Sequence, residues 1–179
     1  MLGYYWNTIK FLKFRQIYHR VFRFLKWRAK VKVNPLPTRS ALGIWSTPAK
    51  RKGSMLDSKK FVFLNHLGNL EDIGWQGIGC NKLWTYNLHY FDDLNAKGSS
   101  YRYSWHKKLI QSWVVENPPI LGVGWEPYPL SLRIVNWVKW QLNGNSLGDF
   151  ERSSLAIQAR VLAKSIEFHL LGNHLSQMR

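Results

Sequence analysis

The run from Gly124 to Trp140, GWEPYPLSLRIVNWVKW, constrains the fold of this chain more than any other stretch. Pro127 and Pro129 are excluded from a helix interior but suit a first turn, where a missing N–H costs no intrahelical bond. They predict a helix that starts near Tyr128 and runs to Leu142. At the helical period Leu130, Ile134, Val138 and Leu142 form an aliphatic stripe, read as the core side. Arg133, Asn136, Trp137 and Trp140 follow one another at i, i+3, i+4 and i+7 on the other side. Two readings of that second face stand side by side. A planar cation, an amide and two indoles are what a sugar-binding surface uses: aromatic planes against C–H faces, and fixed donors for hydroxyls and carboxylates. The same stripe also suits a second packing face between helices, the usual fate of large aromatics.

Composition sets the outer limits. A chain of 179 residues with 45% apolar content can bury one proper core. Ten tryptophans lean towards carbohydrate or aromatic ligands. Cys80 stands alone, which excludes an intramolecular disulfide and a cysteine-based metal site, and neither metal nor cofactor is expected. The formal charge of +16 is unevenly spread: residues 1–60 hold fifteen Lys/Arg against Asp57, residues 61–179 hold eleven against nine acids. Such a local excess suits an anionic partner, whether membrane surface, nucleic acid or polyanionic glycan. With no zinc-ligand set and no recognition-helix motif, nucleic acid is not the expected partner. No stretch reaches the roughly 20 apolar residues of a membrane span. The first thirty residues interleave Lys and Arg with apolar residues and lack the core of a signal peptide. A cytoplasmic location by default, or envelope association, is the corresponding expectation.

Along the chain, residues 1–33 read as a basic amphipathic helix. Phe14, Ile17, Tyr18, Val21, Phe22 and Leu25 recur at helical spacing among Lys13, Arg20, Arg23 and Lys26. Residues 4–30 could lie on anionic lipid, or dock their apolar face on the domain and leave the charges solvated. Residues 34–60 read as a linker, broken by Pro35, Pro37, Pro48, Gly53 and the Lys50-Arg51-Lys52 run. Phe61–Leu64 reads as a strand. A turn through Asn65, Gly68 and Asn69 leads to an antiparallel partner at Glu71–Trp75. Residues 83–95 read as a helix with Leu83, Tyr86, Asn87, Tyr90 and Leu94 on one side. His89 and Asp93 form an i, i+4 pair with too few ligands for zinc, so His89 is expected to be hydrogen-bonded. Ser104 would cap a helix that stops before Pro118-Pro119. A last helix, capped by Asp149 or Ser153, would bury Leu155, Ala159, Leu162, Ile166 and Leu170, turn Arg160 and Lys164 to water, and end at Gly172. Helices joined by short connections make a mainly α fold of antiparallel helical hairpins.

Three stretches, in this order, resemble the N-terminal part of heparinase II/III-like polysaccharide lyases. They are Trp84-Thr85-Tyr86-Asn87-Leu88-His89-Tyr90-Phe91-Asp92, Gly124-Trp125-Glu126-Pro127-Tyr128-Pro129 with Ser131–Trp137, and Glu167–Leu175 with its Gly172-Asn173-His174 end. The resemblance implies a partial α/α toroid over residues 61–179 with a short β-hairpin at its start, followed in the family by a β-sandwich. It implies β-elimination on uronate-containing polysaccharides, in which an Asn neutralises the uronate carboxylate and so stabilises the enolate-like charge that develops when C5 loses its proton. Asn173 matches that Asn, and His174 its neighbour. The resemblance also makes Asn87, His89, Tyr90, Trp125, Glu126, Tyr128, Arg133, Asn136 and Trp137 candidates for binding an acidic polysaccharide. The family's proton-moving Tyr and second His correspond to no residue before Arg179, so the chain is expected to be a truncated toroid, inactive alone. Two rival readings remain. One is a toroidal glycoside hydrolase fragment working with paired carboxylates such as Asp92 and Glu126. The other is a non-enzymatic basic protein at a membrane or glycan surface.

Overall fold

Pro127 is the first residue of the long helix, and Glu126 ahead of it is extended. In this computed structural model residues 43–165 are described. By its contacts the chain divides into a unit spanning Val33–Leu162 and a second that takes in both ends. The packing described below is that of the first. The expected helix at residues 4–30, Ile166, Leu170, Gly172, Asn173 and His174 lie outside the described residues.

The described chain is mainly helical with one two-stranded sheet. Strands β1 (Lys60–Phe63) and β2 (His66–Asn69) pair antiparallel, with Phe61 opposite Gly68 and Phe63 opposite His66. The hairpin is tighter than the sequence implied. Leu64 and Asn65 both have positive φ, 53° and 62°, the backbone of a two-residue turn whose twist matches its strands. Gly68 is therefore a strand residue and not part of the turn. A Cβ there would run into the Trp84 indole, so the glycine marks close packing. The expected second strand at Glu71–Trp75 is instead a single helical turn, α1 (Leu70–Ile73), capped by the Asn69 side chain. The linker reading also needs correction beyond Gly53. Met55 is buried and bridges to Phe61, and the Val62 amide donates to the Ser54 carbonyl.

Four longer helices follow: α2 (Lys82–Tyr90), α3 (Tyr103–Glu116), α4 (Pro127–Leu142) and α5 (Asp149–Ser165). The Asn81 side chain accepts from the Trp84 amide at 2.7 Å and starts α2. The expected continuation of α2 to residue 95 fails at Phe91, whose backbone is left-handed at φ 60°, ψ 32°; a 3-10 turn at Asp92–Asn95 follows. A phenylalanine tolerates this position because the ring gains what the backbone loses. It stacks on Trp75 and meets Trp137 edge-on, more than offsetting the roughly 1–2 kcal/mol of left-handed backbone. α3 begins one residue before Ser104 and carries no side-chain cap at Arg102, so Ser104 is not its cap. α5 begins at Asp149 and buries Glu151, Ser154, Gln158 and Val161, while Ala159 is exposed. Its buried face is thus rotated away from the predicted Leu155–Ala159–Leu162 stripe.

The core is aromatic. Trp84, Trp113, Trp125, Trp137 and Trp140 are all fully buried. α4 presents to this core the face that was not expected there. Leu130 is buried, but Val138 and Leu142 are 40% and 39% exposed, whereas Arg133, Trp137 and Trp140 are enclosed and Asn136 nearly so. Of the two readings, packing holds for this face; the aliphatic stripe as the core side is overturned. The reason lies in the partners. α2, α3 and the 3-10 turn at Val123–Trp125 bring indoles and open backbone carbonyls to α4, and a surface of that kind is matched by ring faces and N–H donors.

Candidate functional site

The inner face of α4 is built around Arg133. Its Cζ lies 3.7 Å from the Trp113 ring centre. Nε donates to Gln158 Oε1 at 2.9 Å and Nη1 to the Gly124 carbonyl at 2.8 Å. No carboxylate joins it among the described residues, and Nη2 has no partner. Burial alone pushes its pKa well down. Stacking on an indole and three oxygen acceptors, the third being the His89 carbonyl at 3.5 Å from Nη1, take the place of a counter-ion.

His89 sits beside it with no exposed surface. The Trp113 indole, which can only donate, points its N–H at Nδ1 at 3.0 Å. The ring proton therefore sits on Nε2, which donates to the Trp75 carbonyl at 2.8 Å. Burial, reinforced by the Arg133 charge and opposed by the Trp75 bond, lowers its pKa to about 3. Gly124 makes room for this ring: a Cβ there would lie 2.6 Å from Nδ1. Asn136 donates to the Tyr90 carbonyl at 2.8 Å and to Asp92 Oδ1 at 2.7 Å. It thus ties the residues on both sides of the left-handed Phe91.

A second buried network centres on Asp93. Oδ1 accepts from the Ser54 and Met55 amides at 2.6 and 3.0 Å. Oδ2 accepts from Arg102 Nε at 2.7 Å and His106 Nε2 at 2.8 Å. Burial would raise its pKa, but the bonds from His106, Arg102, Met55 and Ser54 outweigh that and hold it at about 2. His89 and Asp93, spaced as a pair in the sequence, therefore belong to two different networks. Groups of three or more His, Cys, Asp or Glu able to hold a metal are absent among the described residues. A small cavity beside Asp93 and His106, walled by Phe61, Phe91 and Leu109, has room for about one water molecule. Nothing of substrate size fits there.

What remains open to solvent is a strip where α2 passes the start of α4. Tyr128 is 51% exposed. Its ring meets Tyr90 edge-on at 5.7 Å and Tyr86 at 6.3 Å between centroids. The Tyr86 hydroxyl donates to Glu126 Oε2, which also takes Lys82 Nζ at 2.9 Å, and Lys82 lies 5.2 Å over the Tyr86 ring. Burial and the Glu126 bond raise the Tyr86 pKa. Asn87 is half-buried and donates to the Leu83 carbonyl at 2.7 Å. The fold thus divides the candidates. Glu126, Tyr128 and Asn87 reach the surface; His89, Tyr90, Trp125, Arg133, Asn136 and Trp137 are buried and hold the scaffold. The sugar-binding surface expected at Arg133, Asn136 and Trp137 is therefore corrected: all three are buried. Sequence reasoning missed Lys82 and Tyr86 as members of the strip, although their i, i+4 spacing and the Lys–aromatic pairing were there to find.

No family model, curated protein or solved structure matches the chain.

Proposed function

We propose that this chain is a glycan-binding helical domain, built as an incomplete α/α toroid of the heparinase II/III-like lyase type, that takes an acidic polysaccharide along the strip at the start of α4. The observation that carries the reading is Tyr128, half exposed, flanked by Tyr86 and Tyr90 and beside the Lys82–Glu126 pair. Aromatic faces pack against sugar C–H groups, and a Lys–Glu pair offers a donor and an acceptor to neighbouring hydroxyls. Apart from Lys82, the strip comes from two of the three motif stretches, 84–92 and 124–129. The paired-carboxylate alternative fits less well: Glu126 is committed to Tyr86 and Lys82, and Asp92 to Asn136.

For β-elimination, neutralising the uronate carboxylate with Asn173 lowers the barrier only if a base stands within about 3 Å of the C5 proton. His89 is unfit for that task, being sealed, bonded at both ring nitrogens and held neutral. On this reading the chain binds the glycan without turning it over, His89 supplying no base. The test mixes the purified chain with heparan sulfate, hyaluronan or alginate. Binding should weaken in Tyr128→Ala, and absorbance from an unsaturated uronate should not rise. Turnover that vanishes in Asn173→Ala would overturn the inactive reading; binding indifferent to Tyr128 would overturn the strip.

A further inference from the structure

A second polar surface lies where the segment before β1 crosses the loop ahead of α3. The Lys97 amide donates to the Arg51 carbonyl at 2.8 Å, so the Lys50-Arg51-Lys52 run is fastened alongside Lys97. Arg102 locks the crossing from below: Nε goes to Asp93, and Nη2 donates to the Lys97 carbonyl at 3.1 Å. Gly53 leaves the space for that guanidinium, since a Cβ there would lie 2.8 Å from Nη2. The backbone is pinned while the side chains are left out in water. Arg51 is 87% exposed along its side chain, with Asp92 only at the 4.0 Å limit of an ion pair. Lys50, Lys52 and Lys97 are exposed too. Tyr101, one 3-10 turn on and 92% exposed, sets a bare aromatic ring beside Gly98. Asp93, the other carboxylate here, is buried and paired with the Arg102 cation at 2.7 Å, so these two charges balance each other.

We propose that Arg51, Lys52, Lys97 and Tyr101 form a second docking site for a linear polyanionic glycan, which it holds by sulfate or carboxylate groups while the Tyr128 strip engages another part of the same chain. This rests on the glycan reading above. A linear glycan fits better than nucleic acid because a single exposed ring accompanying three cations offers a sugar one C–H stacking face. A nucleic-acid groove lines up successive rings for successive bases. Two modest sites on one ligand bind more tightly together than either does alone.

The test uses the full chain and a sulfated, uronate-containing heparin oligosaccharide, with binding measured across a salt series. Arg51→Ser/Lys97→Ser/Tyr101→Ala keeps the pinning backbone bond and should lower affinity by about tenfold while flattening the salt dependence. The charge-matched control, Lys107→Ser/Lys108→Ser on α3, should change it by less than about threefold. Equal losses in the two variants would overturn the site, because they would reduce it to overall charge. An oligo-dT that binds more tightly than the glycan and loses affinity in the patch variant would overturn the glycan assignment. A Tyr128→Ala loss with an unchanged patch variant would sink this proposal and leave the strip standing. A patch loss with Tyr128→Ala unchanged would do the reverse.

Discussion

Two clusters, both built where α2 meets α4, use the same ingredients, aromatic rings and a cation, and put them to opposite ends. Inside, Trp113, His89 and Arg133 form a dry cluster whose donors are nearly all spent on the protein itself. Outside, Tyr86, Tyr128, Lys82 and Glu126 form a wet one. Composition does not separate them. What separates them is position relative to the 3-10 turn at Val123–Trp125. On the inner face of α4, Arg133, Trp137 and Trp140 follow the turn by two or more helical turns and face carbonyls and indoles of neighbouring elements, whereas Glu126 and Tyr128 sit at the helix start, where α2 passes by. An aromatic and cationic stripe is therefore a scaffold wherever open carbonyls face it, and is left accessible to solvent only where they do not.

The comparison breaks most visibly at Arg133. Arg133→Ala should cost about 3–5 kcal/mol in urea unfolding, since it leaves Gln158 and the Gly124 carbonyl unpaired in a dry cavity. Arg133→Met, which fills part of the space with an unbranched apolar side chain and buries no charge, should lose less than half as much. An equal loss would mean that the guanidinium bonds outweigh their desolvation. Asp93→Asn should follow at about 3 kcal/mol, because the amide turns a donor towards groups that also donate.

Acid sharpens the contrast between the two clusters. His89 has a folded pKa of about 3, below its unfolded value of about 6.5. The unfolded chain thus binds the extra proton first, and stability falls as pH drops through the window between the two values. At pH 5 the loss should be about 2 kcal/mol. Asp93, also depressed, adds its own loss only below about pH 4. Thermal melts in His89→Gln should therefore be flatter between pH 6.5 and 4 than those of the parent, with the Asp93 step retained. The smallest effect belongs outside: Tyr128→Ala should change stability by less than about 0.5 kcal/mol while weakening glycan binding several-fold.

Much of the element order was legible from local signals. Pro127 and Pro129 marked the start of α4, Pro118-Pro119 lay just past the end of α3, and Phe61–Leu64 read as a strand, one residue on from the observed Lys60–Phe63. What was not legible depended on partners distant in sequence. The buried face of α4 was missed because its periodicity offers two stripes, and only the indoles of α3 and the turn at Val123 choose between them. The end of α2 at Phe91 carries no breaker residue; tertiary ring packing imposes it. Gly68 was taken for a turn residue when its task is to admit Trp84. His106 and Gln158, each a partner to a buried charge, have no local mark at all.

Asp93 also has a kinetic consequence. Two of its four donors, Arg102 and His106, lie 9 and 13 residues away, while the Ser54 and Met55 amides are 39 and 38 away. Closing the short loops loses less chain entropy than closing the long one. The carboxylate should thus be captured by α3 and the turn ahead of it first, and receive the segment before β1 afterwards. That segment is the natural candidate to detach without global unfolding, as a small cooperative unit of its own. Amide exchange at Ser54 and Met55 would then proceed through a shallower opening than exchange in α3. The strap that carries Arg51 and Lys52 would come and go from a body that stays folded.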